Sequence, residues 1–291
     1  MSARALSHCW DRKVARLPDE GVLLVSTDLH GNLRDYQRLV ALYRVEEAAG
    51  NHPVLALTGD VIHGPSADLN APGAWPDFLG TAYVDQSASL LTHLEAYSRI
   101  ARVFSLMGNH DHAHVGGPPV AKFYDDEAAV LNDTLGHDRE RLCGFIASFP
   151  LIAVGACGVV LTHGAPYATA DDLDGFEALD YAGYEDHSIQ RMYDSGVVGS
   201  LLWARSARPH QARRLLTATS TDGDPNAFVA FGHDVVREGY EIMGDEQLCF
   251  STSYGLYDGH KTYLRLDLGR RYRSTCDLRP GHELLPLYPG V

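Results

Sequence analysis

Thiols, cations and long apolar runs are all scarce in this chain, and each scarcity excludes something. The five cysteines (Cys9, Cys143, Cys157, Cys249 and Cys276) are odd in number and form no CxxC pair. Neither a disulfide framework nor a thiolate zinc site is expected, and reduced thiols in a cytoplasm are. Lysine and arginine total 24 against 38 aspartates and glutamates, a formal net charge of −14. Phosphate backbones select basic surfaces, so no nucleic-acid partner is expected. A small phosphorylated substrate is not excluded, because a few cations or metals can invert the local field. No stretch approaches the roughly twenty apolar residues of a membrane-spanning helix, so no membrane partner is expected either. The stretch MSARALSHCWDRKVARLPDE lacks the apolar segment of a secretory signal.

What is present is an ordinary core-forming composition, 45% hydrophobic, and fifteen histidines whose positions must decide which matter. GVLLVSTDLHGN (21–32) reads as a buried strand and a polar loop. LRDYQRLVALYRVEEAAG (33–50) follows with helical spacing, Leu33, Tyr36, Leu39, Val40 and Tyr43 sharing one face and Gly50 able to cap the end. HPVLALTGDVIHGP (52–65) repeats the strand and polar loop, 85–103 reads as a helix, and VFSLMGNHDH (103–112) as strand and loop again. This β-α-β-α-β alternation with near-continuous apolar strands predicts an α/β sheet covered on both faces. Further on, 149–166 reads as two strands around a glycine-containing turn, NAFVAFGHD (226–234) as another strand, and 248–255 with 261–268 as a closing strand pair. Segments 64–84, 113–140 and 165–225 are rich in Gly, Asp and Pro and read as insertions or caps over a site. One domain over 1–291, with its core at about 20–270, is the expected organisation.

Five of these strands end in chemistry-bearing residues: Asp28 and His30; Gly59 and Asp60; Asn109, His110 and Asp111; His163; His233. Ligands of α/β folds gather at the carboxyl edge of the sheet. Loops that neighbour each other there would bring carboxylates, imidazoles and one amide together. That donor set suits Mn²⁺, Fe or Zn²⁺, and a carboxylate can bridge two metals about 3.5–4 Å apart. Each feature alone also reads as a cap, a turn or a satisfied core histidine; the ordered recurrence of five makes it a site.

Asp28-Leu29-His30-Gly31, Gly59-Asp60, Gly108-Asn109-His110-Asp111, His163-Gly164 and Gly232-His233 resemble the ordered motifs of the calcineurin-like metallophosphoesterases. The second half is similar to the phosphoprotein phosphatase (PPP) branch: SFPLIAVGACGVVLTHGAP resembles its strand pair, LLWARS its LLWSDP segment, and GHDVVREGYEIMGDEQLCFSTSY its AHQVVEDGYE…FSAPNY segment. Val235 stands where many other members place a further histidine. The resemblance implies a four-layer α/β/β/α sandwich with inserted cap segments. It implies two divalent metals, manganese foremost and iron or zinc as alternatives. Asp28 and His30 would hold one, Asp60 would bridge, and Asn109, His163 and His233 would hold the second. A bridging hydroxide would attack phosphorus in line, with His110 as the catalytic histidine and Asp111, in place of the motif's usual glutamate, in the catalytic set as support for Asn109 and His110. The implied activity is metal-dependent phosphoester hydrolysis on a phosphorylated protein, as a serine/threonine phosphatase. A nucleotide or dinucleoside polyphosphate hydrolase is the alternative, and a weakened metal-binding module a third.

The resemblance breaks at the second motif, usually GDxVDRG. Here His63 replaces the aspartate that orients the catalytic histidine, and Gly64 the arginine that grips phosphate. Met107 also stands where the third motif is usually preceded by arginine. His63 could accept a hydrogen bond from His110, donate to phosphate, or face solvent. Arg205 in LLWARS is the first candidate for the missing cation, since arginine forks onto phosphate oxygens; its other reading is a surface ion pair. Arg237 ranks behind it. Tyr254 reads as a site or core tyrosine. His112 and His114, which follow the third motif, read first as solvated loop residues, with lining of the substrate cleft or binding of an adventitious metal as the other readings.

Overall fold

The computed structural model describes residues 12–220 and 224–291, so Cys9 and the first eleven residues of the N-terminal stretch read above lie outside the described residues. The chain runs from β1 (Val14–Arg16) through β2 (Val22–Ser26), α1 (Leu33–Ala48), β3 (Val54–Leu57), α2 (Ser87–Ser98) and β4 (Val103–Ser105). Strands β2, β3 and β4 are parallel neighbours, as the alternating pattern requires. A one-turn α3 (Asn109–His112), α4 (Glu127–Leu135) and α5 (Arg139–Ala147) follow. Next come the antiparallel pair β5 (Ile152–Val154) and β6 (Val159–Leu161), then α6 (Leu173–Glu177), α7 (Ile189–Tyr193), α8 (Gly196–Trp203) and α9 (Pro209–Ala218). The chain closes with β7 (Phe228–Phe231), β8 (Tyr240–Met243), β9 (Gln247–Phe250), β10 (Thr262–Asp267) and β11 (Leu284–Pro286).

The strands form two sheets, ordered β1-β5-β6-β7-β9-β8 and β11-β10-β2-β3-β4. Period-two alternation sorts their side chains into two environments. Leu23, Val25, Ala56, Phe104, Leu161, Phe228, Ala230, Leu248 and Phe250 pack together as the layer between the sheets. Their neighbours Leu24, Leu55, Leu57, Val103, Val160, Val229 and Phe231 belong to the other cluster, with Tyr36, Leu39, Leu90 and Leu94 from α1 and α2 and Leu201, Leu202 and Leu215 from α8 and α9. The result is the four-layer α/β/β/α sandwich. Strands buried on both faces explain why 22–26 and 54–57 read as continuous apolar runs rather than alternating ones.

Two expectations change. The segments at 248 and 261 do not pair; β9 lies in one sheet and β10 in the other. Strand β9 pairs instead with β8 across the Gly244-Asp245-Glu246 turn, whose Gly244 has φ 67°. The long 251–261 connection crosses between sheets, because a hairpin needs only about two to five loop residues. Segment 113–140 is also more than a polar cap. Asp126 caps α4 by accepting from Ala129 N, and Leu131 and Leu135 of that helix are buried in the core.

A buried ion pair fixes the crossing connection to α1. Lys261 Nζ donates to Asp35 Oδ2 at 2.7 Å, with side chains 1% and 0% exposed. Asn32 Nδ2 and Ser253 Oγ donate to the same oxygen, and Tyr288 OH to Oδ1. Removing one partner strands the other charge, so Lys261→Ala should cost about 3–5 kcal/mol of unfolding free energy. Urea titration followed by circular dichroism measures this, and adding Asp35→Asn should recover part of the loss.

Candidate active site

The loops after β2, β3, β4, β6 and β7 converge at one edge of the two sheets. Their backbones are bent to do so. Asp28, His30, Asp60, His63 and His233 all have positive φ (42°, 43°, 51°, 65° and 64°); among the described residues His52 is the one other non-glycine with positive φ. Such strain concentrates where a site over-determines the backbone. Glycine permits the closest approach: a Cβ on Gly108 would lie 2.2 Å from Asp60 N, and one on Gly232 would lie 2.2 Å from Asp28 Oδ2.

Asp60 sits at the centre. Its Oδ2 is 3.6 Å from His30 Nε2 and its Oδ1 3.6 Å from His163 Nε2. His163 Nε2 is also 2.9 Å from Asn109 Oδ1 and 3.1 Å from His233 Nδ1. The far nitrogens fix the tautomers. His30 Nδ1–H donates to His63 O and His163 Nδ1–H to Thr58 O, which leaves both Nε2 lone pairs turned toward Asp60, the usual orientation of metal-binding imidazoles. Both lone pairs then face Asp60 carboxylate oxygens across 3.6 Å gaps, a set of donor atoms that fits divalent cations. Asp28 completes it: its Oδ2 accepts from His233 N at 3.0 Å.

Burial dominates the electrostatics of this cluster. It pushes the Asp28 carboxyl up to about 6 and raises that of Asp60. It holds His30 and His233 well below the usual imidazole range and lowers His163. Burial thus favours the neutral imidazoles a cation needs but opposes the two carboxylates, whose charge a bound cation would restore.

Five of the six proposed ligands (Asp28, His30, Asp60, Asn109 and His233) and His110 line one cleft of about 340 Å³, with Arg205 and Tyr254 on its wall; the sixth, His163, is fully buried behind Asn109 and His233. Other expected residues stand elsewhere. Asp111 is not in the cleft lining; its Oδ2 accepts from Asp60 N (2.7 Å) and Gly108 N (3.0 Å), so it clamps two loops and touches no reacting group. His63 is 4% exposed and neither faces solvent nor lines the cleft. Its Nδ1 lies 3.2 Å behind His110 Nδ1. Arg205 donates to Asp234 Oδ1 at 2.9 Å and is 54% exposed, so the ion-pair reading describes it in this state. Arg237 donates to the carbonyls of Phe78 and Gly255, outside the lining. The Tyr254 ring lies 4.4 Å from that of His30. His112 and His114 are not solvated. His112 is fully buried with Nε2 on Tyr181 O, and His114 Nε2 is 2.8 Å from His63 Nε2. The one-turn α3 and the 113–140 segment fold these two histidines inward.

Two residues without a sequence motif also enter the site. Glu127 Oε2 lies 2.9 Å from His110 Nδ1 and 3.3 Å from His63 Nδ1. Lys122 lines the cleft with Nζ 3.5 Å from His30 Nε2 and 3.8 Å from the Tyr254 ring centroid. The available signal was indirect: a second motif lacking both its carboxylate and its cation requires substitutes from elsewhere.

A family profile described as calcineurin-like phosphoesterase matches residues 21–256. No curated protein matches the chain. Among solved structures, one similar fold is a Saccharomyces cerevisiae protein serine/threonine phosphatase described as similar to human phosphatase PP5. It is 14% identical, with 93% of this chain and 86% of that chain covered and a TM-score of 0.57. Another is the cold-active protein tyrosine phosphatase of a psychrophilic Shewanella species, also 14% identical, with 88% and 78% covered and a TM-score of 0.54.

Proposed function

Because the chain belongs to the calcineurin-like phosphoesterase family, we propose that its cleft hydrolyses phosphomonoesters, with phosphoserine and phosphothreonine side chains of proteins as the substrates. The observation that carries this reading is the placement of Asp60 between His30 and His163, with one carboxylate oxygen toward each. Asp28, His30 and Asp60 would hold one divalent cation, manganese in our reading, and Asp60, Asn109, His163 and His233 a second. When bound, such a pair supplies positive charge against the phosphate and lowers the pKa of an attacking water.

The chain's own residues do the rest. His110 lines the cleft with Nδ1 turned to Glu127 Oε2, so its other nitrogen gives a proton from the doubly protonated ring, the form that burial opposes and the Asp60 and Glu127 carboxylates favour. In hydrolysis the water oxygen bonds to phosphorus and the ester P–O bond breaks. His110 protonates the departing oxygen and regains its proton from the water consumed. The products are the alcohol and inorganic phosphate. Asp60 Oδ1 accepts from His110 N at 2.9 Å, which ties the proton donor to the ligand cluster. Trp203, Val120 and Ile189 give the cleft apolar walls around these polar groups.

The substrate reading is supported by the PPP-like segments around His163, Trp203 and His233. A second reading has its own support: residues 120–122 and Ile189 wall the cleft, which favours a small phosphoester such as a dinucleoside polyphosphate. Comparing kcat/KM for a phosphoserine peptide and a dinucleoside tetraphosphate separates them. Preference for the peptide supports the first reading, and preference for the nucleotide replaces it. Free thiols at Cys143, Cys157, Cys249 and Cys276 support the cytoplasmic setting we propose.

A further inference from the structure

We propose that the short segment from Lys122 to Glu127 is a coupled device, in which Lys122 binds the substrate phosphate and Glu127 positions His110 for proton transfer. This rests on the phosphoesterase reading above, but not on which phosphoester is cleaved.

Glu127 is the first residue of α4, and its side chain is 1% exposed. A buried carboxylate is costly unless each oxygen is satisfied. Oε1 accepts from Lys122 N at 2.9 Å and from Phe123 N at 2.6 Å. Oε2 is turned the other way, 2.9 Å from His110 Nδ1, a close charge contact without hydrogen-bond alignment, which leaves this oxygen to be satisfied by the charge of the imidazole it faces. One carboxylate therefore holds both the backbone under Lys122 and the back of the proton donor. A carboxylate at Nδ1 favours the proton there, fixes the ring's orientation and leaves the opposite nitrogen toward the cleft. Burial works to raise the Glu127 carboxyl, yet contacts with His110 and His63 outweigh it and hold the group at about 2. It is the anionic form that faces His110.

His63 completes the support. Its Nδ1 is 3.3 Å from the same Oε2, and its Nε2 is 2.8 Å from His114 Nε2. His114 Nδ1 is 3.1 Å from Asn132 Oδ1. Asn132, His114, His63, Glu127 and His110 thus form one continuous chain of side chains, and His114, Glu127 and Asn132 all come from segment 113–140.

Lys122 brings the cation. Its stem lies at the exposed rim, while Nζ reaches the cleft beside His30 and over the Tyr254 ring. Arg205 is half-exposed and engaged with Asp234, whereas no carboxylate is within ion-pair distance of Lys122 Nζ among the described residues. Seating over a ring is a weak restraint, so the four-carbon stem can deliver its point charge to a phosphate oxygen.

The test uses metal-loaded full-length protein and the variants Glu127→Gln, Lys122→Ala and Lys122→Arg. Inorganic phosphate is the binding probe, by calorimetry and by competitive inhibition. Lys122→Ala should weaken phosphate binding and raise KM at least about tenfold, with Lys122→Arg restoring part of it. Glu127→Gln should lower kcat about 10–100-fold on phenyl phosphate, whose leaving group needs a proton. It should lower kcat much less on p-nitrophenyl phosphate, and leave KM and the melting temperature near wild type. Equal losses on both substrates, with a fallen melting temperature, would reduce Glu127 to a structural role. Unchanged phosphate binding in Lys122→Ala would remove Lys122 from the site. A wild-type protein that binds phosphate but cleaves neither ester would sink the functional reading instead, while a loss of that binding in Lys122→Ala would still support its assignment.

Discussion

Asp60→Asn should lower kcat/KM by about 10³-fold or more, because a bound cation contributes several kcal/mol to the transition state and each ~1.4 kcal/mol is tenfold. The substitution is nearly isosteric. The amide oxygen can still accept from His110 N, so the loop after β4 keeps its anchor. What disappears is the negative charge between His30 and His163. Metal content is the discriminating readout. Wild-type protein should hold two divalent ions per chain, and the variant fewer. The two proteins should also differ in how metal changes their stability. A ligand at 100 times its Kd stabilises the native state by about 2.7 kcal/mol, so manganese should raise the wild-type melting temperature and do little for the variant. Without metal the variant should be no less stable than wild type, since burial already penalises this carboxylate's charged form. A variant that keeps both its metals and its activity would remove Asp60 from the centre of the site.

His110→Gln should separate proton transfer from metal binding. General acid catalysis by a positioned side chain contributes roughly 10²–10⁴-fold, and kcat should fall by that amount. His110 contributes no ligand in the proposed set, so metal content and KM should change little. The loss should be larger for alkyl and phenyl esters than for p-nitrophenyl phosphate, whose leaving anion needs no proton. A uniform loss across leaving groups, or loss of metal, would assign His110 to the ligand set. Its 4.7 Å ring contact with His30 makes that alternative concrete.

Most of this site was legible because its residues obey a local rule. A buried strand ends, and the next few residues carry the donors. Asp28, Asp60, Asn109, His163 and His233 could all be read that way, since each candidate donor is adjacent in sequence to the end of a buried strand. The apolar runs marked the parallel β2-β3-β4 unit and the strands at 149–166 and 226–234, but the two-sheet sandwich came from the family resemblance, since the alternation alone implies only a sheet covered on both faces. What failed was non-local. Glu127 meets His110 across 17 positions, inside a segment with no apolar period, and Lys122 reaches the cleft from the rim of the same segment. No pattern in 113–140 marks a residue that acts through its fold. His112 and His114 were misread for the same reason: their polarity suggested water, but the segment folds over them. The β8–β9 hairpin was hidden differently. Its Gly-Asp-Glu turn was a usable signal, but β8 is largely exposed and carries little apolar pattern.

The most direct test of the central claim is hydrolysis of p-nitrophenyl phosphate by metal-stripped protein, with and without added Mn²⁺. The account predicts negligible turnover without metal and saturable turnover once it is restored. Turnover that is indifferent to metal, or none after two equivalents of Mn²⁺ have demonstrably bound, would contradict it.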